Sequence, residues 1–96
     1  IGEMRILSRE HEVYVGSKKI TLTPKEFDLL SYLAANKGIT LSREQILDMV
    51  WGQDYYGDDR TVDTHIKCLR AKLGSFGSMI MTVRKYGYKL EAGDND

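Results

Sequence analysis

The sequence is poor in the residues that cross-link or punctuate a chain. Among 96 residues there is one cysteine, Cys68, and one proline, Pro24. A lone cysteine excludes an intrachain disulfide framework and fits a reducing, cytoplasmic compartment. No apolar run is longer than a few residues, so no segment can cross a bilayer as a helix. No cationic start followed by an apolar stretch is present, and no secretory signal is expected. The two histidines, His11 and His65, are far apart in sequence. With one cysteine they supply no clustered metal-ligand set. No serine or cysteine sits in a nucleophile motif, and Gly74-Ser75-Phe76-Gly77-Ser78 lacks the lysine and spacing of a phosphate-binding loop. Neither catalysis nor a cofactor is therefore expected.

An excess of charge is also missing, since 14 Lys and Arg balance 14 Asp and Glu. The distribution is uneven, however. From Arg60 to Leu90 the basic residues are Arg60, Lys67, Arg70, Lys72, Arg84, Lys85 and Lys89, against the single acid Asp63. That segment carries a net +6 and the remainder −6. Such asymmetry marks a localised anion-binding face, or else a solvated surface that happens to cluster.

What is present is an ordinary soluble composition, 42% hydrophobic and 29% charged, with no repeat or linker that divides it. One domain over residues 1–96 is expected. The chain starts at Ile1, which suggests a processed product or a piece of a longer protein. Met4–Leu7, Glu12–Val15 and Lys18–Leu22 read as three antiparallel strands, with Gly16-Ser17 as a tight turn. Val13, Val15, Ile20 and Leu22 supply the period-two pattern, and a fourth strand is expected near Ile39-Thr40-Leu41. Thr23-Pro24-Lys25-Glu26 is a capping box with proline at the first helical position. Phe27, Leu30, Leu33 and Ala34 then form an apolar face, and Asn36-Lys37-Gly38 ends the helix. Ser42-Arg43-Glu44-Gln45 repeats the signature for a second helix that buries Ile46, Leu47, Val50 and Trp51 and stops at Gly52. A third helix runs from Arg60 to Leu73, followed by a hairpin with Arg84-Lys85-Tyr86-Gly87 at its turn and an acidic tail expected to fray from Glu91.

In the third helix, Val62, Ile66, Leu69 and Leu73 form one narrow stripe. Opposite them lie Arg60, Thr64, Lys67, Cys68 and Ala71, with Asp63 and Arg70 on one edge and His65 and Lys72 on the other. Small residues at the centre permit close approach, and basic residues around them suit a major groove. The hairpin adds two cations at its tip. An arginine there fits a narrow minor groove, and the Thr82 hydroxyl can bond a phosphate. Plainer readings remain beside these: an amphipathic helix with a solvated face, and a solubilising turn that blunts an edge strand. Asp58 and Asp59 read as caps for the third helix, and the acidic loop with Asp54 reads either as a protein contact or as repulsion from DNA.

From Thr21 to Tyr88, about two-thirds of the chain, the sequence resembles the OmpR/PhoB family of response-regulator effector domains. The resemblance is carried by Leu22-Thr23-Pro24-Lys25-Glu26-Phe27-Asp28-Leu29-Leu30, Ser42-Arg43-Glu44-Gln45-Ile46-Leu47 and Val50-Trp51-Gly52. It continues in Arg60-Thr61-Val62-Asp63-Thr64-His65-Ile66, Leu69-Arg70-Ala71-Lys72-Leu73 and Thr82-Val83-Arg84-Lys85-Tyr86-Gly87-Tyr88. It implies an α+β winged helix-turn-helix with an N-terminal four-stranded antiparallel sheet, three helices and a C-terminal hairpin wing. It also implies binding of double-stranded DNA, by head-to-tail dimers on direct repeats. A receiver domain phosphorylated by a sensor kinase controls such pairing in the family.

By the same resemblance, Arg84 enters the minor groove, and Thr64 and Cys68 face bases. Trp51, Arg60, His65, Lys67, Arg70 and Thr82 meet or flank the DNA backbone. The loop after the second helix, here with Gln53, Asp54, Tyr55, Tyr56 and Asp58, would contact RNA polymerase. Two departures stand out. Cys68 replaces an arginine or lysine common in relatives, and its thiol cannot make a bidentate guanine contact. Lys85 and Tyr86 replace small turn residues and add potential wing contacts. Asp63 is expected to restrict what the third helix accepts. Cys68 beside Lys67 also admits a redox-sensor reading, although a lone cysteine is more often just a small residue. The competing class is a winged helix used for protein contact, with the basic face on an acidic partner.

Overall fold

The computed structural model describes residues 4–7, 9–52, 58 and 60–91. Three short strands come first: β1 (Met4–Leu7), β2 (Glu12–Val15) and β3 (Lys18–Ile20). They form an antiparallel sheet in the order β1-β2-β3, with Met4 opposite Val15 and Val13 opposite Ile20. Met4 and Val13 are buried, so the period-two pattern does turn one sheet face inward.

Helix α1 (Pro24–Ala35) begins as its local sequence requires. Thr23 Oγ1 accepts the Glu26 N–H at 3.2 Å, and Glu26 Oε1 accepts the Thr23 N–H at 2.9 Å. Helix α2 (Arg43–Ile46) repeats the box between Ser42 and Gln45, at 3.0 and 2.8 Å. A capping residue of this kind contributes about 1 kcal/mol. The second helix does not stay α-helical to its end. Leu47–Trp51 widen into a π turn, closed by the Gly52 N–H on the Leu47 carbonyl at 3.0 Å. The Val50 carbonyl at that end is taken by Lys25 Nζ at 2.9 Å, which satisfies a group left over at the helix terminus.

Helix α3 runs Arg60–Leu73, and all four residues of its stripe are buried. Each such side chain contributes roughly 1.5–3 kcal/mol of hydrophobic stabilisation. They pack with Phe27, Leu29, Leu30 and Leu33 of α1 and with Ile46 and Val50 into one core. A 3-10 segment, Gly74–Met79, turns the chain back along α3. Gly77 there passes so close to α3 that a Cβ would lie 2.4 Å from the Arg70 carbonyl oxygen.

The hairpin pairs β4 (Ile80–Val83) with β5 (Gly87–Leu90), and Val83 faces Gly87. The fourth strand expected in the N-terminal sheet is not there: among the described residues that sheet has three strands. Leu41 instead exchanges both backbone hydrogen bonds with Tyr88, at 2.8 and 2.9 Å, and the Gly38 N–H reaches the Leu90 carbonyl at 2.8 Å. The edge of β5 away from β4 would otherwise present unmet backbone groups, and the segment between α1 and α2 supplies their partners. Gly87 makes this approach possible. Its φ is +151°, and a Cβ would lie 2.0 Å from the Leu41 carbonyl oxygen.

Candidate nucleic-acid interface

The outward face of α3 carries Arg60, Thr64, Lys67, Cys68 and Ala71, all exposed. The helix is capped at its start by Asp58, whose Oδ1 accepts the Arg60 N–H at 3.0 Å. The Asp58 carboxylate also lies 3.2 Å from the exposed Arg60 guanidinium. Asp59, the other expected cap, is outside the described residues. So are Gln53, Asp54, Tyr55 and Tyr56 of the expected polymerase-contact loop, and the tail beyond Glu91.

His65 and Trp51 meet edge to face, with ring centroids 4.8 Å apart, so the indole bridges the second and third helices. The His65 Nδ1 donates to the Thr61 carbonyl at 2.9 Å. A carbonyl only accepts, so this nitrogen carries the hydrogen and the Nε2 edge is left for other partners. Lys25 Nζ stands 5.9 Å from the indole centroid.

Asp63 faces the wing rather than open groove. Its Oδ1 accepts Arg43 Nε at 2.8 Å and also the Tyr88 hydroxyl. The carboxylate thereby joins α2, α3 and β5. Burial first, and then hydrogen bonding to Asp63, pushes the Tyr88 hydroxyl above its ordinary range. The same carboxylate holds the Arg43 guanidinium up. Arg43 and Arg70 both approach the Tyr88 ring, at 6.0 and 5.7 Å from its centroid.

Arg70 reaches the wing directly. Its Nε and Nη2 donate to the Ile80 carbonyl at 3.0 and 2.6 Å, and Nη2 donates to Thr82 Oγ1 at 2.8 Å. Lys72 points back into the fold, with Nζ 2.6 Å from Glu26 Oε1. Glu26 is 5% exposed. Burial alone would push its carboxyl up, but the Lys72 ammonium and the Thr23 N–H outweigh that and hold it below the ordinary value. Lys89 pairs with Glu91 at 3.3 Å. Lys67, Arg84 and Lys85 have no ion-pair partner among the described residues. The last two lie in the wing turn, which is closed by the Tyr86 N–H on the Val83 carbonyl at 2.9 Å. Lys85 holds φ +72° there, and Tyr86 is 72% exposed.

Composition and spacing single out the helix face and the wing tip. They do not reveal the inward roles of Lys25, Glu26, Arg43, Lys72 and Tyr88. Glu26 and Lys72 are 46 positions apart, and Arg43 and Asp63 are 20 apart. Only the hydrophobic stripe on α3, which fixes which edge meets the wing, hints at the Asp63 and Arg70 contacts.

A three-helix core, with a second and third helix in succession and a basic hairpin bonded to the third, defines a winged helix-turn-helix domain. The family model described as "Transcriptional regulatory protein, C terminal" matches residues 17–90. The sensory transduction protein RegX3 of Mycolicibacterium smegmatis is 47% identical over 93 residues, covering 94% of this chain and 41% of RegX3. The crystal structure of the DNA-binding domain of Bacillus subtilis CssR is 41% identical with a TM-score of 0.83, covering 91% of this chain and 98% of that domain. The Klebsiella pneumoniae RstA DNA-binding domain, solved with the RstA box, is 33% identical with a TM-score of 0.83, covering 94% of this chain and 92% of that one. The chain belongs to this family, the OmpR/PhoB-type effector domains of response regulators. It is a non-enzymatic kind of domain. The chain spans less than half the length of the curated relatives it matches. Among the described residues, no helix is long and apolar enough to cross a membrane.

Proposed function

We propose that this chain binds double-stranded DNA sequence-specifically as the effector domain of a cytoplasmic two-component response regulator. The carrying observation is that the exposed face of α3 and the basic wing are bonded into one surface through Arg70, Ile80 and Thr82. In this reading α3 lies in the major groove with Thr64 and Cys68 nearest the bases. Arg60, Lys67, His65, Trp51 and Thr82 line the phosphates, with Arg70 flanking them. Arg84 enters the minor groove, with Lys85 beside it at the tip. Asp63 narrows what the helix accepts, by holding Arg43 and Tyr88 instead of a base. Two copies pair head to tail on direct repeats under the control of a receiver domain and its sensor kinase, and the loop from Gln53 to Asp58 meets RNA polymerase.

The test is fluorescence anisotropy with duplexes selected by this domain from a random pool, across a salt series. Four or five phosphate contacts give a slope of log affinity against log salt of about −4. A selected direct repeat with that slope supports the reading. No enrichment, with weak binding indifferent to Arg84→Ala, would point to a protein-contact module.

A further inference from the structure

We infer that Arg70 is a positioning residue for the wing: it aims the Thr82 hydroxyl at a DNA phosphate and does not itself neutralise one. The inference rests on the DNA-binding reading above and deepens it. Three of the five guanidinium N–H bonds point into the protein. Two meet the Ile80 carbonyl and one meets Thr82 Oγ1. The planar fork needs this geometry, because one carbonyl accepts from Nε and Nη2 together while Nη2 still has a second hydrogen for the hydroxyl. The Tyr88 ring lies 5.7 Å from the guanidinium carbon and limits its swing.

The effect on Thr82 follows from hydrogen-bond chemistry. A hydroxyl that accepts from a cation cannot aim its own hydrogen back at that cation. The Thr82 O–H is therefore turned away from Arg70, and its oxygen is polarised by the positive charge, which strengthens it as a donor. Thr82 is exposed on β4, two residues before Arg84. An exposed threonine without such a partner samples several hydroxyl directions, so Arg70 lowers the entropy lost when a phosphate binds. Holding the Ile80 carbonyl at the start of the same strand sets the distance between wing and helix.

Positioning and direct phosphate contact differ in their salt dependence. A cation that neutralises a phosphate contributes about −0.9 to the slope of log affinity against log salt. A positioning residue, whose charge is held one hydroxyl away from the phosphate, contributes only part of this. The experiment measures affinity and salt slope on a duplex selected by the wild-type domain, for Arg70→Gln, Arg70→Lys, Thr82→Val, Thr82→Ser and the Arg70→Lys/Thr82→Val pair. Lys67→Gln serves as the phosphate-contact control. Thr82→Val and Arg70→Lys should each lose about tenfold in affinity with an unchanged slope. Thr82→Ser should bind as the wild type does, and the pair should lose little more than either change alone.

Full affinity in Arg70→Lys, with a slope shallower by about 0.9 in Arg70→Gln, would mean that Arg70 meets a phosphate and would overturn the inference. Should the Arg70 variants not fold, the threonine variants decide: tenfold loss in Thr82→Val with rescue in Thr82→Ser supports it, and no loss in Thr82→Val refutes it. Absence of salt-dependent duplex binding by the wild type would instead defeat the underlying DNA reading, and the inference with it.

Discussion

Replacing Lys72 with methionine isolates the balance that holds α1 to the end of α3. The two partners of this ion pair are unequal. The Lys72 side chain is 40% exposed and can turn to water, whereas the Glu26 side chain is 6% exposed and cannot. Breaking an enclosed pair by removing one partner costs about 3–5 kcal/mol. Solvent screening at the Lys72 end reduces this by about half, so Lys72→Met should cost about 2 kcal/mol. Glu26→Gln should cost only about 1 kcal/mol, because its amide oxygen still accepts the Thr23 N–H and the freed ammonium is solvated. At ~4–8 °C per kcal/mol, the lysine variant melts roughly 8–16 °C lower.

The pH dependence carries the sharper signature. In the wild type the folded Glu26 carboxyl lies below its unfolded value of 4.5. Its contribution is therefore complete above that pH and is lost as pH falls through the folded value. Without Lys72, burial becomes the dominant influence and the carboxyl moves up. The variant's deficit should then shrink on acidification, as protonation removes the stranded charge. Urea unfolding of both proteins at pH 7 and pH 4 measures this. A deficit as large at pH 4 as at pH 7, or Glu26→Gln costing more than Lys72→Met, refutes the reasoning.

Tyr88→Phe removes a hydrogen bond to the Asp63 carboxylate while Arg43 remains on it, and should cost about 1–2 kcal/mol in urea unfolding; unchanged stability would show that the bond contributes nothing. Gly87→Ala drives a Cβ toward the Leu41 carbonyl and should cost about 2–4 kcal/mol, from overpacking and backbone strain together. Thermal unfolding at the wild-type midpoint would contradict that approach. Arg84→Ala should leave stability within about 0.5 kcal/mol of the wild type. It should weaken DNA binding mainly at A·T-rich narrow minor grooves, and equal weakening on all duplexes would remove the minor-groove role. Cys68→Arg should add a preference for guanine worth about 1–3 kcal/mol at one position of the selected site. An unaltered selected sequence would mean that residue 68 does not face a base.

Local physics made much of this fold legible. Both capping boxes bind within three residues, so Thr23 and Ser42 announce their helices. The α3 stripe repeats over one helix and gives its bounds and its buried side. The pairing of Leu41 is less legible, because alternation in a short segment says that a residue pairs but not with which edge. The widening of α2 at Leu47 depends on how its end packs against α1, where Lys25 takes the Val50 carbonyl. The charge count overstates the free basic surface for a similar reason. Lys72 and Arg70 read as surface cations from their helical positions, yet their partners lie on other elements, 46 and 10 positions away.

The reciprocal bonds between Leu41 and Tyr88 change what kind of object the wing is. Rather than a flexible arm hinged on α3, it is the middle and far part of a small ribbon whose near edge is the threshold of α2, one residue before the Ser42 cap. Such a ribbon opens as a cooperative unit. The amides of Leu41 and Tyr88 belong to a single foldon and should exchange their hydrogens together. In the proposed binding mode, a groove that pushes on the wing tip would load the entrance of the helix-turn-helix, and DNA shape would be felt by the whole reading head, not by one loop.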